Sequence, residues 1–131
     1  MVAIENLSAK DMRYLNLALK EISESKFSGS FKVGACLDIN ENYSACNSHR
    51  NVVDGKVVYR SLHAEMIVLI KSRRDGKRIK TLYVARLADK RFGLARPCEE
   101  CQKWLPFYGV KTVKYTDHID GKDVLCTWKL R

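Results

Sequence analysis

LHAEMIVLIKSRR (Leu62–Arg74), followed past Gly76 by TLYVARL (Thr81–Leu87), reads as a helix leading into a strand, the unit around which the other segments fall into order. Met66, Ile67, Val68 and Ile70 form an apolar block that opens near Ser61 and stops before Gly76, which predicts a helix over 62–74. The β-branched and aromatic run that follows predicts a strand over 81–87. Downstream, 89–96 reads as a basic loop, and Pro97 suits the first position of a third helix. Pro106 cuts that helix short, because it lacks an amide donor and clashes with the preceding turn, and Gly109 closes the segment. Strands are expected at 112–115 and 124–128, joined through 117–121.

Upstream, Ser8 and Asp11 resemble a capping box. Met12, Leu15, Leu19 and Ile22 recur at helical spacing, so 9–24 reads as an amphipathic helix that ends at Ser28-Gly29-Ser30. The segments 31–39 and 42–47 read as strands of a hairpin turning at Asn40-Glu41, and 47–60 as a polar loop with a possible short strand at 57–59. The order is helix, two strands, helix, strand, helix, strand, strand, without repeat or linker. Such alternation indicates an α/β layered domain over 1–131. The last connection is too short for a parallel crossover, so the final two strands should be antiparallel.

A length of 131 residues with 46% hydrophobic content fits one folded domain. No signal peptide and no bilayer-length apolar run are evident, so a soluble, cytoplasmic protein is expected. Five cysteines, an odd count without secretory features, argue against a disulfide framework. Cys36, Cys46 and Cys126 read as small buried hydrophobes. The net charge of +9 makes polyanions or phosphorylated substrates plausible partners, single-stranded nucleic acid included. The basic residues gather at Lys71, Arg73, Arg74, Lys77, Arg78 and Lys80, and again at Lys90, Arg91 and Arg96.

Cys98 and Cys101 have the spacing of metal ligands. His63-Ala64-Glu65 opens one predicted helix and Pro97-Cys98-Glu99-Glu100-Cys101 another, so two helix N-termini can converge on one point. One imidazole and two thiolates make a three-ligand Zn2+ site whose fourth position stays open for water. Glu65, two residues from His63, is poorly spaced for a second ligand and suits a proton carrier beside the metal. A lone C-x-x-C would also fit a structural half-site or a redox pair. The first would want a fourth protein ligand, and the second has no need of the upstream His-Ala-Glu.

H-x-E with a downstream P-C-x-x-C is the pattern of zinc nucleobase deaminases, and the chain resembles the cytidine/deoxycytidylate deaminase superfamily over nearly its whole length. Phe31-Lys32-Val33-Gly34-Ala35 resembles the F/Y-x-V-G-A strand of nucleoside deaminases. Cys46-Asn47 resembles their C-N, and His63-Ala64-Glu65-Met66 the H-A-E-M of deoxycytidylate deaminases. The resemblance implies a three-layer α/β/α fold with a five-stranded mixed sheet, and a homo-oligomer. It also implies Zn2+ on His63, Cys98 and Cys101, Glu65 as acid and base, and Asn47 and Ala64 at the substrate. Phe31 is either a core residue or a base-stacking platform.

Nucleoside deaminases carry N-x-E where this chain has Asn47-Ser48-His49. His49, Arg50, Lys56 and Arg60 stand there instead and could hold a phosphate, and Arg96 could bond a thiolate or a substrate phosphate. The compact chain, the V-G-A strand and Asn47 favour hydrolytic deamination of cytosine in a free nucleoside or nucleotide. The charge and the basic loops support the alternative, cytosine (or adenine) in single-stranded DNA or RNA. A third reading, a zinc-bound binding module without catalysis, leaves Glu65 with no purpose.

Overall fold

The computed structural model describes residues 1–24, 32–47, 51–53, 56–58, 63–88 and 91–130. In chain order the strands and α-helices are β1 (Val2–Ala3), α1 (Ala9–Glu24), β2 (Val33–Leu37), β3 (Ser44–Cys46), β4 (Asn51–Val53), β5 (Lys56–Val58), α2 (Ala64–Arg74), β6 (Thr81–Ala88), β7 (Arg91–Phe92), α3 (Glu99–Trp104), β8 (Thr112–Ile119) and β9 (Lys122–Lys129). The sheet runs in the order β1-β9-β8-β6-β2-β3, with β7 paired to β6, and β4 and β5 form a separate hairpin. Among the described residues, β6 and β8 are the parallel pair of this sheet and its other pairings are antiparallel.

The alternating faces of the central strands build two cores. Ala35, Leu37, Leu82 and Val84 face one side, where Val68 and Leu69 of α2 and Leu105 after α3 pack on them. Cys36, Tyr83 and Ala85 face the other, against Tyr14, Leu15, Ala18 and Ile22 of α1. Helices thus cover both faces, which is the expected three-layer mixed α/β fold. Ser8 caps α1 as expected, its Oγ accepting from the Asp11 amide at 3.1 Å. The Asp11 carboxylate reaches across to the other layer and accepts from Tyr83 Oη at 2.6 Å and Lys114 Nζ at 2.8 Å.

Three expectations need correction. Among the described residues the sheet has seven strands, not five, because β1 and β7 add two-residue edges too short to show any periodicity. The terminal strands are eight residues each and meet in a two-residue turn, Asp120-Gly121, with φ of 53° and 76°. Both residues sit in the left-handed region, as a tight hairpin turn with the right twist demands. Pro97 lies outside α3, whose N-cap is Cys98; the extended backbone of a cap residue pushes the helix start to Glu99. Pro106 does limit α3, which ends at Trp104.

Candidate active site

The cavity at the carboxyl-end edge of the parallel pair is where ligands bind in open α/β sheets. Val33 begins β2 and pairs with Arg86 near the end of β6, so both lie at this edge. The N-termini of α2 and α3 arrive at the same place. His63 is the N-cap of α2 and Cys98 the N-cap of α3, with Cys101 in the first turn of α3. A cavity of about 260 Å³ opens there, and Asn47, His63, Ala64, Glu65, Arg86, Arg96 and Cys98 are among its lining residues.

His63 Nδ1 lies 3.1 Å from Cys101 Sγ and 3.5 Å from Cys98 Sγ, and the ligand atoms of all three residues fall within 4.8 Å of one another. A tetrahedral zinc ion with bonds of about 2.0 Å to nitrogen and 2.3 Å to sulfur spaces its ligand atoms by about 3.5 Å, so the three residues fit one ion. Among the described residues this is the group that could hold a metal. Cys101 is buried, and Cys98 is exposed, on the cavity side. Burial, with Glu65 and Cys98 beside it, pushes the Cys101 thiol above its ordinary range. A divalent cation removes that penalty by pairing with the thiolate.

Glu65 is only 5% exposed yet lines the cavity. Burial raises its carboxyl above the ordinary range, opposed by its own backbone amide and by His63. The carboxyl and the Cys101 thiol are within hydrogen-bonding reach. A buried acid beside a metal-ligand cluster, open to a cavity, can exchange protons with whatever occupies it.

Asn47 is held by β2: its Oδ1 accepts from the Val33 amide at 3.0 Å, and its own amide donates to the Val33 carbonyl at 3.0 Å. Cys46 Sγ also lies 3.3 Å from Asn47 Oδ1. Arg96 lines the cavity with its guanidinium 4.7 Å from the Trp128 ring centre, a stacking arrangement that orients the cation. Ala64 is buried in the cavity wall. The cavity therefore gathers His63, Ala64, Glu65, Cys98, Asn47 and Arg96, with Cys101 behind it. Phe31, His49 and Arg50 lie outside the described residues, as does Arg60.

Sequence reasoning misses Arg86. It has the parity of Leu82 and Val84, so it faces the α2 side, where β6 is otherwise apolar. Gly93 leaves room for it, since a Cβ there would come within 3.1 Å of Arg86 Cδ. Thr116 is fully buried and fixes this corner, its Oγ1 accepting from the Arg86 amide and donating to the Gly93 carbonyl, each at 3.0 Å. The legible signal is a cation at an inward strand position.

Residues 8–117 match the family described as the cytidine and deoxycytidylate deaminase zinc-binding region. Among solved structures, cytidine deaminase from Burkholderia pseudomallei matches with a TM-score of 0.60 and 19% identity, over 92% of this chain and 93% of that one. At that identity the likeness is one of fold. The sequence has no significant match among curated proteins. Zinc is accordingly the cofactor that family and donor set agree on.

Proposed function

We propose, for a chain that belongs to the cytidine and deoxycytidylate deaminase family, hydrolytic deamination of a cytosine base in a free nucleoside or nucleotide, giving the uracil product and ammonia. The observation that carries this reading is the buried Glu65 carboxyl beside the His63, Cys98 and Cys101 triangle, facing one solvent-open cavity.

Zinc held by the three ligands supplies Lewis acidity that makes a water nucleophilic near neutral pH. Glu65 accepts a proton from the attacking water and delivers it to the ring nitrogen, then moves a second proton to the departing amino group. Water adds at the carbon bearing the amino group, and its C–N bond breaks. Asn47, fixed against Val33, meets the sugar. Arg86 and Arg96, both at the cavity, favour the substrates that carry a phosphate.

Residues 1–131 then form one catalytic domain working in the cytoplasm, in keeping with five unpaired cysteines. Among the described residues no helix is long and apolar enough to cross a membrane. Leu94, at the cavity and 53% exposed, suits a site closed by a neighbouring copy, and light scattering tests the homo-oligomer.

The substrate test incubates the zinc-loaded protein with cytidine, deoxycytidine, their monophosphates and a cytosine-containing oligonucleotide. Product is read as the mass change of an amino group replaced by oxygen. Turnover of a free nucleoside or nucleotide supports the reading, and turnover of the oligonucleotide alone replaces it with the polynucleotide alternative.

A further inference from the structure

Five cations cluster on a surface for which deamination has no use. Two adjoining concavities, of about 300 and 610 Å³, share Lys77 and Tyr108. Together they form a groove lined by the cations Arg73, Lys77, Arg78, Lys80 and Lys111, with Phe107 at one end. Phe107 is 58% exposed, and its neighbour Trp104 is 43% exposed. Their rings meet edge to face at 5.7 Å, and the Arg73 guanidinium lies 4.4 Å from the Phe107 ring centre. The acid of this stretch, Asp75, is engaged elsewhere: it accepts from Tyr43 Oη at 2.8 Å and from Arg74 Nε at 3.4 Å.

The groove and the candidate active site occupy opposite edges of the sheet. The cavity is lined by the first residues of α2, and the groove by residues at and beyond its last turn. The 11 residues of α2 put about 16 Å between them. Lys80 and Lys111 immediately precede β6 and β8, so the groove sits at the amino-end edge of the parallel pair. A mononucleotide in the cavity cannot reach it.

We propose that this groove binds single-stranded nucleic acid, with phosphates on the lysines and arginines and unpaired bases stacked on Trp104 and Phe107. Exposed aromatic side chains beside a cationic groove are what single strands require, because every base offers a π-face. Arg73 covers one side of the Phe107 ring and leaves the rest of this exposed side chain to a base. A duplex keeps its bases stacked internally, and a lipid surface is too flat to enter a concave groove. The site stands independently of the deamination reading, since no residue of the cavity takes part.

The test measures fluorescence anisotropy of a fluorescein-labelled oligo-dT strand over a range of salt concentrations. Binding should weaken with salt, and Trp104→Ala with Phe107→Ala should lower affinity about tenfold or more. Lys77→Gln with Lys111→Gln should flatten the log–log salt slope by about 1.4, two phosphate contacts of a single strand. Lys10→Gln with Lys20→Gln, the same charge removed from α1, should leave both readouts unchanged. Melting temperature and zinc content confirm that each variant is folded. An equal loss from the α1 pair overturns the proposal by showing diffuse charge attraction. An aromatic pair that binds like the parent also overturns it, as does tighter binding of a matched duplex or of phosphatidylserine vesicles.

Discussion

A Cβ on Gly34 would lie 2.0 Å from the carbonyl oxygen of Ala18, so the backbone of α1 rests directly on β2 at this point. The glycine of the Val33-Gly34-Ala35 segment is there for packing between layers, and no other residue type fits without moving the helix. Gly34→Ala should destabilise by about 1–3 kcal/mol through overpacking. Urea denaturation measures this, and an unchanged midpoint would show that α1 shifts at little cost.

Asp11 ties α1 to the sheet, and its ionisation is linked to stability. Burial disfavours the carboxylate, but hydrogen bonds from Lys114 and Tyr83 and the Lys114 charge outweigh it, holding the carboxyl below its ordinary value. A group whose folded pKa is depressed stabilises the fold fully above its unfolded pKa, and that contribution disappears as pH falls through the folded value. Asp11→Asn should cost about 1–3 kcal/mol at neutral pH, with a deficit that shrinks in acid below the ordinary aspartate range. Thermal melts across that range check it; a deficit constant with pH would disconnect the charge from the effect.

Cys98→Ala and Cys101→Ala should each lose bound zinc and lower the melting temperature, because metal binding couples to folding. Cys101 is buried and Cys98 exposed, so the Cys101 variant should lose more stability than its partner. Elemental analysis with parallel melts reads both quantities. Stoichiometric zinc in either variant contradicts the ligand assignment.

Arg86→Gln should raise KM for deoxycytidine monophosphate about ten- to hundredfold, the scale of one lost charge-assisted hydrogen bond, and leave KM for deoxycytidine nearly unchanged. Steady-state kinetics on the two substrates separate these outcomes. Equal effects on both would remove phosphate recognition from Arg86.

The metal cluster is legible in the sequence because ligand chemistry restricts both residue type and position. His63, Cys98 and Cys101 fall at helix starts, and helix starts can be read from flanking loops and apolar spacing. The layer order is equally legible from the alternation of strand and helix. Residues such as Asp117, His118 and Asp123 conceal the true length of the final hairpin, since polar side chains there read as loop. In the fold they are paired: His118 Nδ1 lies 2.8 Å from Asp123 Oδ1, which also accepts from the Phe92 amide at 3.1 Å. Arg86 escapes because one arginine in an apolar strand resembles an exposed position; its parity with Leu82 and Val84 turns it inward, and its register against Val33 places it at the cavity.

The proposed role of Glu65, moving protons for a reaction at the His63, Cys98 and Cys101 centre, is probed by Glu65→Gln. The variant keeps the shape of the side chain but cannot accept the proton from the attacking water. Zinc content and deamination of cytidine and deoxycytidine monophosphate should be measured together on variant and parent. Proton transfer through Glu65 requires that the variant keep full zinc occupancy while turnover falls by about 100-fold or more. Full occupancy with turnover equal to the parent's would contradict it.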